Sequence, residues 1–322
     1  MAMSNAKGGE TFLLSGRFSW KATSKSYASP VIVTSLDPSS PASFGYMNVS
    51  GISNVTFRKI EFSSGATTAT ESYMVKILNS SKITIEDVYI HGSLDGNEKN
   101  DLIGIWMSGG DLTVRDCKFE QLARGLNIGG SNVKVVDNVF YNMRSDGLDV
   151  GQVSNILVDG NSFYDFGFLS GDHRDAIQFM TVGSSRSSSD IVVSNNLIMV
   201  GPGASMQGIF ITDQQGIYPY LRVKIRNNLV VQTYMSNGIM VANGQDVEVT
   251  NNTVVSPTDD SIMVWIRMSN VSNYRASGNI ADSGGNMTGV QAGIDSALLK
   301  YGKIESVRPE QLIRPNIGFQ MP

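Results

Sequence analysis

The segment DVEVTNNTV, residues 246–254, contains the pattern that decides the fold. Its apolar residues fall at the second, fourth and ninth places, and an asparagine occupies the seventh. The same nine-residue template occurs nine times, starting at residues 54, 82, 111, 132, 155, 190, 222, 246 and 273. Successive copies are 28, 29, 21, 23, 35, 32, 24 and 27 residues apart. Repetition on this scale indicates an architecture in which each copy is one unit of a stack.

Each template predicts two short strands separated by a bend. Apolar residues at the second and fourth places alternate with polar ones and are mostly β-branched, which is typical of a strand with one face buried. The seventh place holds Ile60, Val88 and Cys117, followed by Asn138, Asn161, Asn196, Asn228, Asn252 and Asn279. We expect these six asparagines to form a ladder of side-chain amides at the bend and to tolerate its backbone angles, with Cys117 as a buried filler.

A further strand precedes each template, with the order small, apolar, variable, apolar. It occurs as VKI (75–77), GIWM (104–107), GLNI (125–128), GLDV (147–150), AIQF (176–179), GIFI (208–211), GIMV (238–241) and SIMV (261–264). One turn of chain per 21 to 35 residues, with short strands stacked on their equivalents, predicts a coil of parallel strands. A propeller would need about 40 or more residues and four strands per blade.

This pattern resembles the right-handed parallel β-helix proteins of the polysaccharide lyase and phage tailspike type, over roughly residues 50–282. The predicted fold is therefore all-β, a single-stranded right-handed parallel β-helix of about nine to ten coils with a short C-terminal helix or tail. Residues 1–49 would supply an N-terminal cap and first coil, and residues 283–322 a C-terminal cap that could mediate oligomerisation. Within this tail, residues 288–303 have helical spacing of apolar residues.

Composition restricts the possible partners. Of the 322 residues 41% are hydrophobic and 17% charged, with a formal net charge of −4, so we expect no nucleic-acid partner. The N-terminus lacks the pattern of a secretory signal, and no stretch is apolar for long enough to insert into a membrane. The protein is therefore expected in the cytoplasm or exported by a signal-independent route, and the resemblance to tailspikes implies a virion tail as such a setting. The single Cys117 excludes an intrachain disulfide.

Equivalent outward residues of a β-helix form columns with a spacing of about 4.8 Å. The variable place of the preceding strand reads Lys76, Trp106, Asn127, Asp149, Gln178, Phe210, Met240 and Met263. The residue before the small one reads Arg124, Asp146, Asp175, Gln207, Asn237 and Asp260. Three adjacent coils therefore carry polar residues at both places.

The segment DHRDAIQFM, residues 172–180, places one of only two histidines in this polar region. His173, Arg174 and Asp175 would lie beside Asp146 and Asp149 of the coil below. These five residues are the catalytic candidates, because stacked carboxylates raise the pKa of at least one member. The alternative is that the aspartates bond local backbone N–H groups at strand starts.

Long connections near the polar region could form the walls of a cleft. The predicted substrate-binding residues are Arg124, Asn127, Arg144, Gln178, Phe210, Tyr218, Tyr220 and Trp106. The aromatic rings among them would stack on sugar faces, or else pack under loops. Trp265 is also expected to point outward.

Two chemistries fit these residues. Hydrolysis needs two carboxyl groups about 5 Å apart for retention, as expected for Asp146 and Asp175, or about 6.5–9.5 Å apart for inversion, as for Asp149 and Asp175. β-Elimination on a uronate would use an arginine or Asn127 to neutralise the substrate carboxylate, His173 as base and a tyrosine as acid. No cofactor is expected, although calcium could bind Asp146, Asp149 and Asp175; two separate histidines make zinc or iron an unlikely match.

HRDAIQ is similar to an H-x-D-[GA]-I-Q pattern of some bacterial and phage β-helix proteins, matched here by His173, Asp175, Ile177 and Gln178. The Asp-Pro-His signature of alginate epimerases is absent. The resemblance implies a polysaccharide partner, cleavage by hydrolysis or elimination, and a tailspike- or depolymerase-like virion protein that could form a homotrimer. The alternatives are a glycan-binding or structural protein without activity, and an intracellular enzyme acting on small sugars.

Overall fold

The computed structural model describes residues 5–200, 203–231, 235–256 and 264–281, together with the backbone of Ile294–Asp295. These residues form one continuous stack of short parallel strands. The predicted β-helix is confirmed, because each strand pairs in parallel with the equivalent strand of the next coil. Among the described residues, no helix is long and apolar enough to span a membrane.

The strands are β1 (Thr11–Leu14), β2 (Arg17–Ser35), β3 (Ser43–Arg58), β4 (Glu61–Ser63), β5 (Tyr73–Glu86), β6 (Tyr89–His91), β7 (Ile103–Arg115), β8 (Lys118–Glu120), β9 (Leu126–Val136), β10 (Val139–Tyr141), β11 (Leu148–Asp159), β12 (Ser162–Tyr164), β13 (Asp175–Met180), β14 (Ser189–Ser194), β15 (Leu197–Met199), β16 (Gln207–Thr212), β17 (Tyr220–Arg226), β18 (Leu229–Val231), β19 (Asn237–Thr250), β20 (Thr253–Val255), β21 (Trp265–Ser277), β22 (Asn279–Ala281) and β23 (Ile294–Asp295). One 3-10 turn, Glu98–Asn100, lies between β6 and β7.

Three parallel sheets enclose the core, and we name them by their place in the coil. Sheet A contains the strand that precedes each template, sheet B the first half of the template, and sheet C its last three residues. A long strand such as β11 runs through sheet A and, after a bend, through sheet B. In β13 and β14 the two parts are separate strands joined by a loop. Side chains at the second, fourth and ninth places of the template fill the interior.

Left-handed backbone at two fixed places explains the bends. The first residue of all nine templates has a positive φ, between 49° at Asn273 and 62° at Asn155. The sixth residue of all nine also has a positive φ, and it is a glycine in two copies. Asparagine, aspartate and glycine tolerate this conformation best. The ladder asparagines at the seventh place do not adopt it, so the prediction that they accommodate the angles of the bend is wrong by one residue.

The asparagine ladder itself is confirmed. Each Nδ2 donates to the Oδ1 of the next asparagine along the stack, over 2.9–3.0 Å from Asn138 to Asn279. The same Oδ1 also accepts the backbone N–H of the preceding asparagine, and Nδ2 donates in addition to a sheet B carbonyl. Cys117 is buried below the ladder, and its backbone N–H donates to Asn138 Oδ1 at 3.0 Å. The ladder therefore satisfies polar groups that lie inside the stack, away from water.

Aromatic rings stack on the opposite side of the core. Phe119, Phe140 and Phe163 occupy the ninth place of consecutive templates, with ring centroids 4.5 and 4.6 Å apart. They explain the small residue that begins each sheet A strand. A Cβ at Gly147 would lie 2.7 Å from a ring atom of Phe163 and 2.9 Å from the carbonyl oxygen of Ala176.

The stack extends further toward the N-terminus than the sequence pattern indicated. Strand β2 pairs with β3 in all three sheets, and β1 pairs with the end of β2, so coils are already formed before residue 43. Their aromatic residues continue the core column, with Phe18 5.7 Å from Phe44 and Phe44 6.0 Å from Phe62.

Two expectations near the C-terminus differ from the structure. The sheet A strand after GIMV is WIRM rather than SIMV, because Met240 pairs with Arg267. Met263 and Asp260 lie outside the described residues, and Arg267 and Trp265 take the places predicted for them. Most of the predicted helix over residues 288–303 is also outside the described part of the chain. Its residues Ile294–Asp295 form strand β23, paired with Asn279–Ile280, instead of a helical turn.

We predict that Asn196→Ala destabilises the protein by about 3 kcal/mol, because it leaves the buried backbone N–H of Asn161 and the carbonyl of Val158 without a partner. Urea unfolding followed by circular dichroism would measure the loss. Lys134→Ala, at an exposed place of sheet B, is the control and should change the free energy of unfolding by less than about 0.5 kcal/mol. Equal stability of the two variants would show that the ladder contributes little.

Candidate functional site

The outward residues of sheet A form a single column, which we call the outer stripe. Parallel pairing places Trp106 beside Asn127, Asn127 beside Asp149, Asp149 beside Gln178, and Gln178 beside Phe210. From the N-terminal end the stripe reads Lys21, Asn48, Lys76, Trp106, Asn127, Asp149, Gln178, Phe210, Met240 and Arg267. The structure thus gives the order that was predicted as far as Met240.

A second column lies at the beginning of the sheet A strands. It contains Arg124, Asp146, Asp175, Gln207 and Asn237, and Trp265 follows as the partner of Asn237. The small residue that follows the polar positions of this column faces the core. Because side chains alternate along a strand, the polar side chain before it lies on the outer face of sheet A. Polar groups from consecutive coils thereby lie beside one another.

Asp146, Asp149 and Asp175 form a buried acid cluster. Asp149 is 2% exposed and its Oδ1 has no hydrogen-bond partner. Asp146 accepts the backbone N–H of Asp175 at 2.9 Å, and its second oxygen lies 3.8 Å from Arg124 Nε. Asp175 is fully buried, and its Oδ1 also lacks a partner. A buried carboxyl oxygen without a hydrogen bond lowers the stability of the folded protein. Such destabilising groups are typical of functional sites.

Burial shifts the protonation of this cluster. It raises the pKa of Asp149 to about 7, an effect that Arg124 opposes and the charge of Asp175 reinforces. Burial and the neighbouring Asp149 and Asp175 raise the pKa of Asp146 well above its usual range. Burial also raises the pKa of Asp175, although the bond to His173 opposes this. At neutral pH the cluster therefore retains protons that exposed aspartates would have lost.

His173 lies at the edge of the acid cluster, with 55% of its side chain exposed. Its Nδ1 is 2.8 Å from Asp175 Oδ2, and the hydrogen bond with this carboxylate raises the pKa of the histidine. Its Nε2 is 2.5 Å from Gln207 Nε2. Both ring nitrogens therefore have protein partners, and neither is free to take a proton from a substrate in this arrangement.

Two arginines beside the acid cluster share contacts with one carboxylate, that of Glu71. Arg144 bonds Asp172 at 3.0 Å and Glu71 at 2.9 Å, and only 4% of its side chain is exposed. Its predicted role in substrate binding is therefore wrong, because its guanidinium is enclosed and paired. Arg124 is more open and lies 3.5 Å from the same Glu71. Sequence reasoning missed Glu71, which comes from a loop without template spacing.

Arg174, predicted as catalytic, is turned away from the acid cluster. Its guanidinium carbon lies 4.6 Å from the ring centroid of Phe168, in the loop before β13. Burial of this group lowers its pKa. Nε and Nη1 have no hydrogen-bond partner. The neighbouring backbone carbonyl of Arg174 instead accepts the N–H of Gln207 at 2.8 Å.

The predicted aromatic contacts divide into three cases. Trp106 is 36% exposed on the outer stripe, and Phe210 is half-buried with its ring 5.5 Å from that of His173. Tyr220 is fully buried against Phe179, and its hydroxyl donates to Thr212 O, so its predicted contact with substrate is wrong. Tyr218 lies in the loop after β16, where its backbone N–H bonds Asp213.

An aromatic and cationic patch lies below the acid cluster; it contains the predicted Trp106 and the outward Lys76, and sequence reasoning missed its tyrosines. Tyr73 packs against Trp106 with ring centroids 5.3 Å apart, and Lys76 Nζ lies 5.7 and 5.8 Å from the two rings. One coil further down, Tyr46 is exposed with Lys21 5.4 Å from its ring centroid. Tyr46 and Tyr73 come directly before a methionine, Met47 and Met74, near the start of their sheet A segments. The sequence pattern assigned no role to this position.

One group of side chains has the composition of a cation site. Asp146, His173 and Asp175 each offer a ligand atom, and these atoms lie within 4.8 Å of one another. Two carboxylates, of which Asp175 has oxygens without a hydrogen-bond partner, suit a hard cation such as calcium. The set contains His173 instead of the predicted Asp149, and cation binding stays a prediction.

The fold is shared with known proteins of several kinds. The family model described as a right-handed beta helix region matches residues 103–281, which is more than half of the chain. No curated protein sequence matches. The structure of the Dettilon tailspike protein superposes with a TM-score of 0.58 at 14% identity, covering 93% of this chain and 62% of the tailspike.

Two other solved structures are similar over most of the chain. The alginate lyase AlyF has a TM-score of 0.50 at 13% identity, with 86% of this chain and 74% of the lyase covered. PfbA, a surface adhesin of Streptococcus pneumoniae, has a TM-score of 0.49 at 13% identity, with 81% and 69% covered. At such low identity these likenesses concern the fold alone, and this chain spans less than two thirds of the tailspike.

We predict that Asp149→Asn stabilises the protein at pH 8 and has a smaller effect near pH 4. Because the pKa of Asp149 is about 7 in the folded protein and near 3.8 when unfolded, the wild type loses stability as pH rises between these values. The full difference is on the order of 4 kcal/mol. Urea unfolding at a series of pH values would measure it.

Asp190→Asn is the matched control, because Arg222 holds the pKa of this exposed carboxylate at about 2. Its stabilising contribution should be present above pH 4 and disappear as pH falls toward 2, which is the opposite dependence. If Asp149→Asn instead destabilises the protein equally at every pH, Asp149 is not protonated in the native state.

Proposed function

The chain belongs to the right-handed β-helix family, and we propose that it binds an acidic polysaccharide along the outer stripe and hydrolyses it beside Asp149. The observation that carries the proposal is the buried, unpaired Asp149 in the middle of an exposed column of polar and aromatic residues. A carboxyl group with a pKa of about 7 can donate a proton at neutral pH.

Asp149 would act as the general acid. It donates its proton to the glycosidic oxygen while the bond from that oxygen to the anomeric carbon breaks. Asp146 is the proposed partner carboxylate, held by the backbone N–H of Asp175 and facing Arg124. Burial raises the pKa of Asp146 as well, so the reactive form is the one in which Asp149 holds a proton and Asp146 is ionised. Asp146 then takes a proton from the water that attacks the anomeric carbon, and the two carboxyl groups exchange protonation states in the reaction.

The surroundings favour hydrolysis over β-elimination. Elimination needs an open base and a cation that neutralises the uronate at the reacting sugar, whereas the nearer unpaired lysine of the outer stripe, Lys76, lies three coils from Asp149. Arg144 is enclosed by Asp172 and Glu71, and both nitrogens of His173 are occupied. The carboxyl groups, in contrast, retain unpaired oxygens.

The lower half of the outer stripe supports binding of an extended anionic ligand. Lys21, Lys76 and Trp106 lie on the same column as Asp149, and five coil steps of about 4.8 Å separate Lys21 from Asp149. In the described part of the chain, neither lysine forms an ion pair with a carboxylate. Exposed rings suit sugar faces, and unpaired lysines suit acidic groups.

The biological setting follows only as a proposal. The tailspike neighbour is consistent with a virion depolymerase, and assembly into trimers belongs to the same proposal. A protein that binds glycan without cleaving it is the second candidate, and the exposed aromatic and lysine patch is the observation that favours it.

We predict that Asp149→Asn and Asp146→Asn each reduce cleavage by about 100-fold or more, because each removes one proton-transfer group. Purified protein would be incubated with a panel of acidic and neutral capsular polysaccharides. Reducing ends report both reactions, whereas absorbance of unsaturated uronates reports elimination alone.

Asp190→Asn on sheet B is the matched control and should retain full activity. Reducing ends without unsaturated products support hydrolysis, and unsaturated products would replace it by elimination. Tight binding without cleavage of any polysaccharide in the panel would favour the glycan-binding module.

We also predict that Lys76→Met and Trp106→Ala each weaken binding about tenfold, the scale of one aromatic or charge contact. Binding would be measured by calorimetry in the Asp149→Asn background, where cleavage does not interfere. Salt should weaken binding of an acidic glycan in the Lys76 parent and less so in Lys76→Met. Lys134→Met on sheet B is the control, and an equal loss there would exclude a specific role for the stripe.

A further inference from the structure

The outer stripe alternates between two kinds of residue from Lys21 as far as Phe210. When Lys21 is counted as the first coil, the odd coils carry side chains that can donate hydrogen bonds to an anion, namely Lys21, Lys76, Asn127 and Gln178. The even coils carry Asn48, Trp106, Asp149 and Phe210. The alternation ends at Met240 on the ninth coil, whose side chain has no donor.

The even coils offer poor partners for a carboxylate. Trp106 and Phe210 present aromatic rings, whose faces carry partial negative charge. Asn48 is engaged, because its Nδ2 donates to the hydroxyl of Tyr46 at 3.2 Å, and the exposed Tyr46 adds a ring to this coil. Asp149 is itself a carboxyl group and repels an anion when it is ionised. An acidic sugar is therefore favoured on the odd coils alone.

Each lysine of the stripe lies against an aromatic ring of the next coil. Lys21 Nζ is 5.4 Å from the ring centroid of Tyr46, and Lys76 Nζ is 5.8 Å from that of Trp106. The two lysines are two coil steps apart, which is about 9.6 Å. Tyr46 and Trp106 are both 36% exposed, so both rings are open to a ligand. A unit of one cation and one ring therefore recurs every two coils.

We infer that the outer stripe selects acidic polysaccharides in which charged and neutral sugars alternate. One coil step of about 4.8 Å is close to the length of one sugar residue in an extended chain. A ligand that lies along the stripe then places its carboxylates on the odd coils and the apolar faces of its neutral sugars on the even coils. The inference rests on the proposed binding along the stripe and does not depend on cleavage.

A polymer with a carboxylate on every sugar fits the same surface less well. Its additional carboxylates would face the rings of Trp106 and Phe210 and the carboxyl group of Asp149, where they lose water without gaining a donor. Sliding such a polymer by one sugar leaves the mismatch unchanged, whereas sliding an alternating polymer by two sugars restores its fit. A neutral polymer leaves Lys21 and Lys76 without a charged partner.

Binding at matched chain length tests this selectivity. Full-length Asp149→Asn protein would be titrated by calorimetry with the acidic polysaccharides of the cleavage panel, sorted by charge pattern. Hyaluronan, unsulfated chondroitin and heparosan are added as alternating probes, and oligogalacturonate and oligomannuronate as uniformly charged probes. At about 0.15 M salt exposed charges act over only about 8 Å, which is less than two coil steps. The best alternating probe should bind about tenfold more tightly than the best uniformly charged probe.

Asn48→Lys tests the alternation with each polymer compared against itself, because it adds a cation on an even coil. It should tighten binding of the uniformly charged probes about tenfold and change binding of the alternating probes by less than about twofold. Thr56→Lys is the matched control, since Thr56 lies in the same strand, β3, but on sheet B. It adds the same charge away from the stripe and should leave the affinity of both classes unchanged.

Uniformly charged probes that bind as tightly as alternating ones would overturn the inference and leave the proposed function intact. An equal gain for both classes in Asn48→Lys, or the same gain in Thr56→Lys, would also overturn it, because the charge would then act without regard to its place. If Asn48→Lys does not fold, the comparison of the two classes in the Asp149→Asn parent decides alone. Absence of binding to every acidic polysaccharide would refute the proposed function, and the inference with it.

Discussion

In-register stacking of the coils is the constraint on which the rest of this structure depends. Parallel hydrogen bonds fix each residue against its equivalent in the next coil, so one polar residue per turn becomes a continuous column. The asparagine ladder keeps this register inside the bend, where each amide bonds the next over 2.9–3.0 Å. A shift by one residue would place the outer stripe in the core and the core side chains in water.

The same constraint makes the acid cluster possible and costly. Asp146, Asp149 and Asp175 are brought together from adjacent coils, whose separation is set by the sheet and cannot relax to relieve their repulsion. Arg124 and His173 compensate only part of the charge, and unpaired oxygens remain. The long ladders on either side stabilise the scaffold enough to hold such a cluster, as repetitive folds sum contributions from neighbouring units. A local arrangement that opposes stability within a regular stack is where function is expected.

Periodicity made most of the fold and the composition of the site predictable from the sequence. It gave the ladder, the core columns and the pairing of Asp149 with Asn127 and Gln178, because these depend only on register. It failed where spacing is interrupted. The bend after Ser35 is longer than in later coils, so the N-terminal turns were not recognised, and WIRM rather than SIMV forms the sheet A strand after GIMV. Periodicity also could not predict the direction of individual side chains. The hydroxyl of Tyr220 and the guanidinium of Arg144 bond to groups within the protein instead of facing a ligand.

The distinction between a binding surface and an enzyme therefore lies in a few side chains on a common scaffold. Under the proposed function, rings and lysines on the lower stripe would hold a glycan, and their exposure costs the fold little. Asp149 is different, because burying a carboxyl group without a partner for Oδ1 opposes folding and contributes nothing to adhesion. The cost of Asp149, rather than the likeness of the fold to any one protein, is thus the physical argument for chemistry at this site.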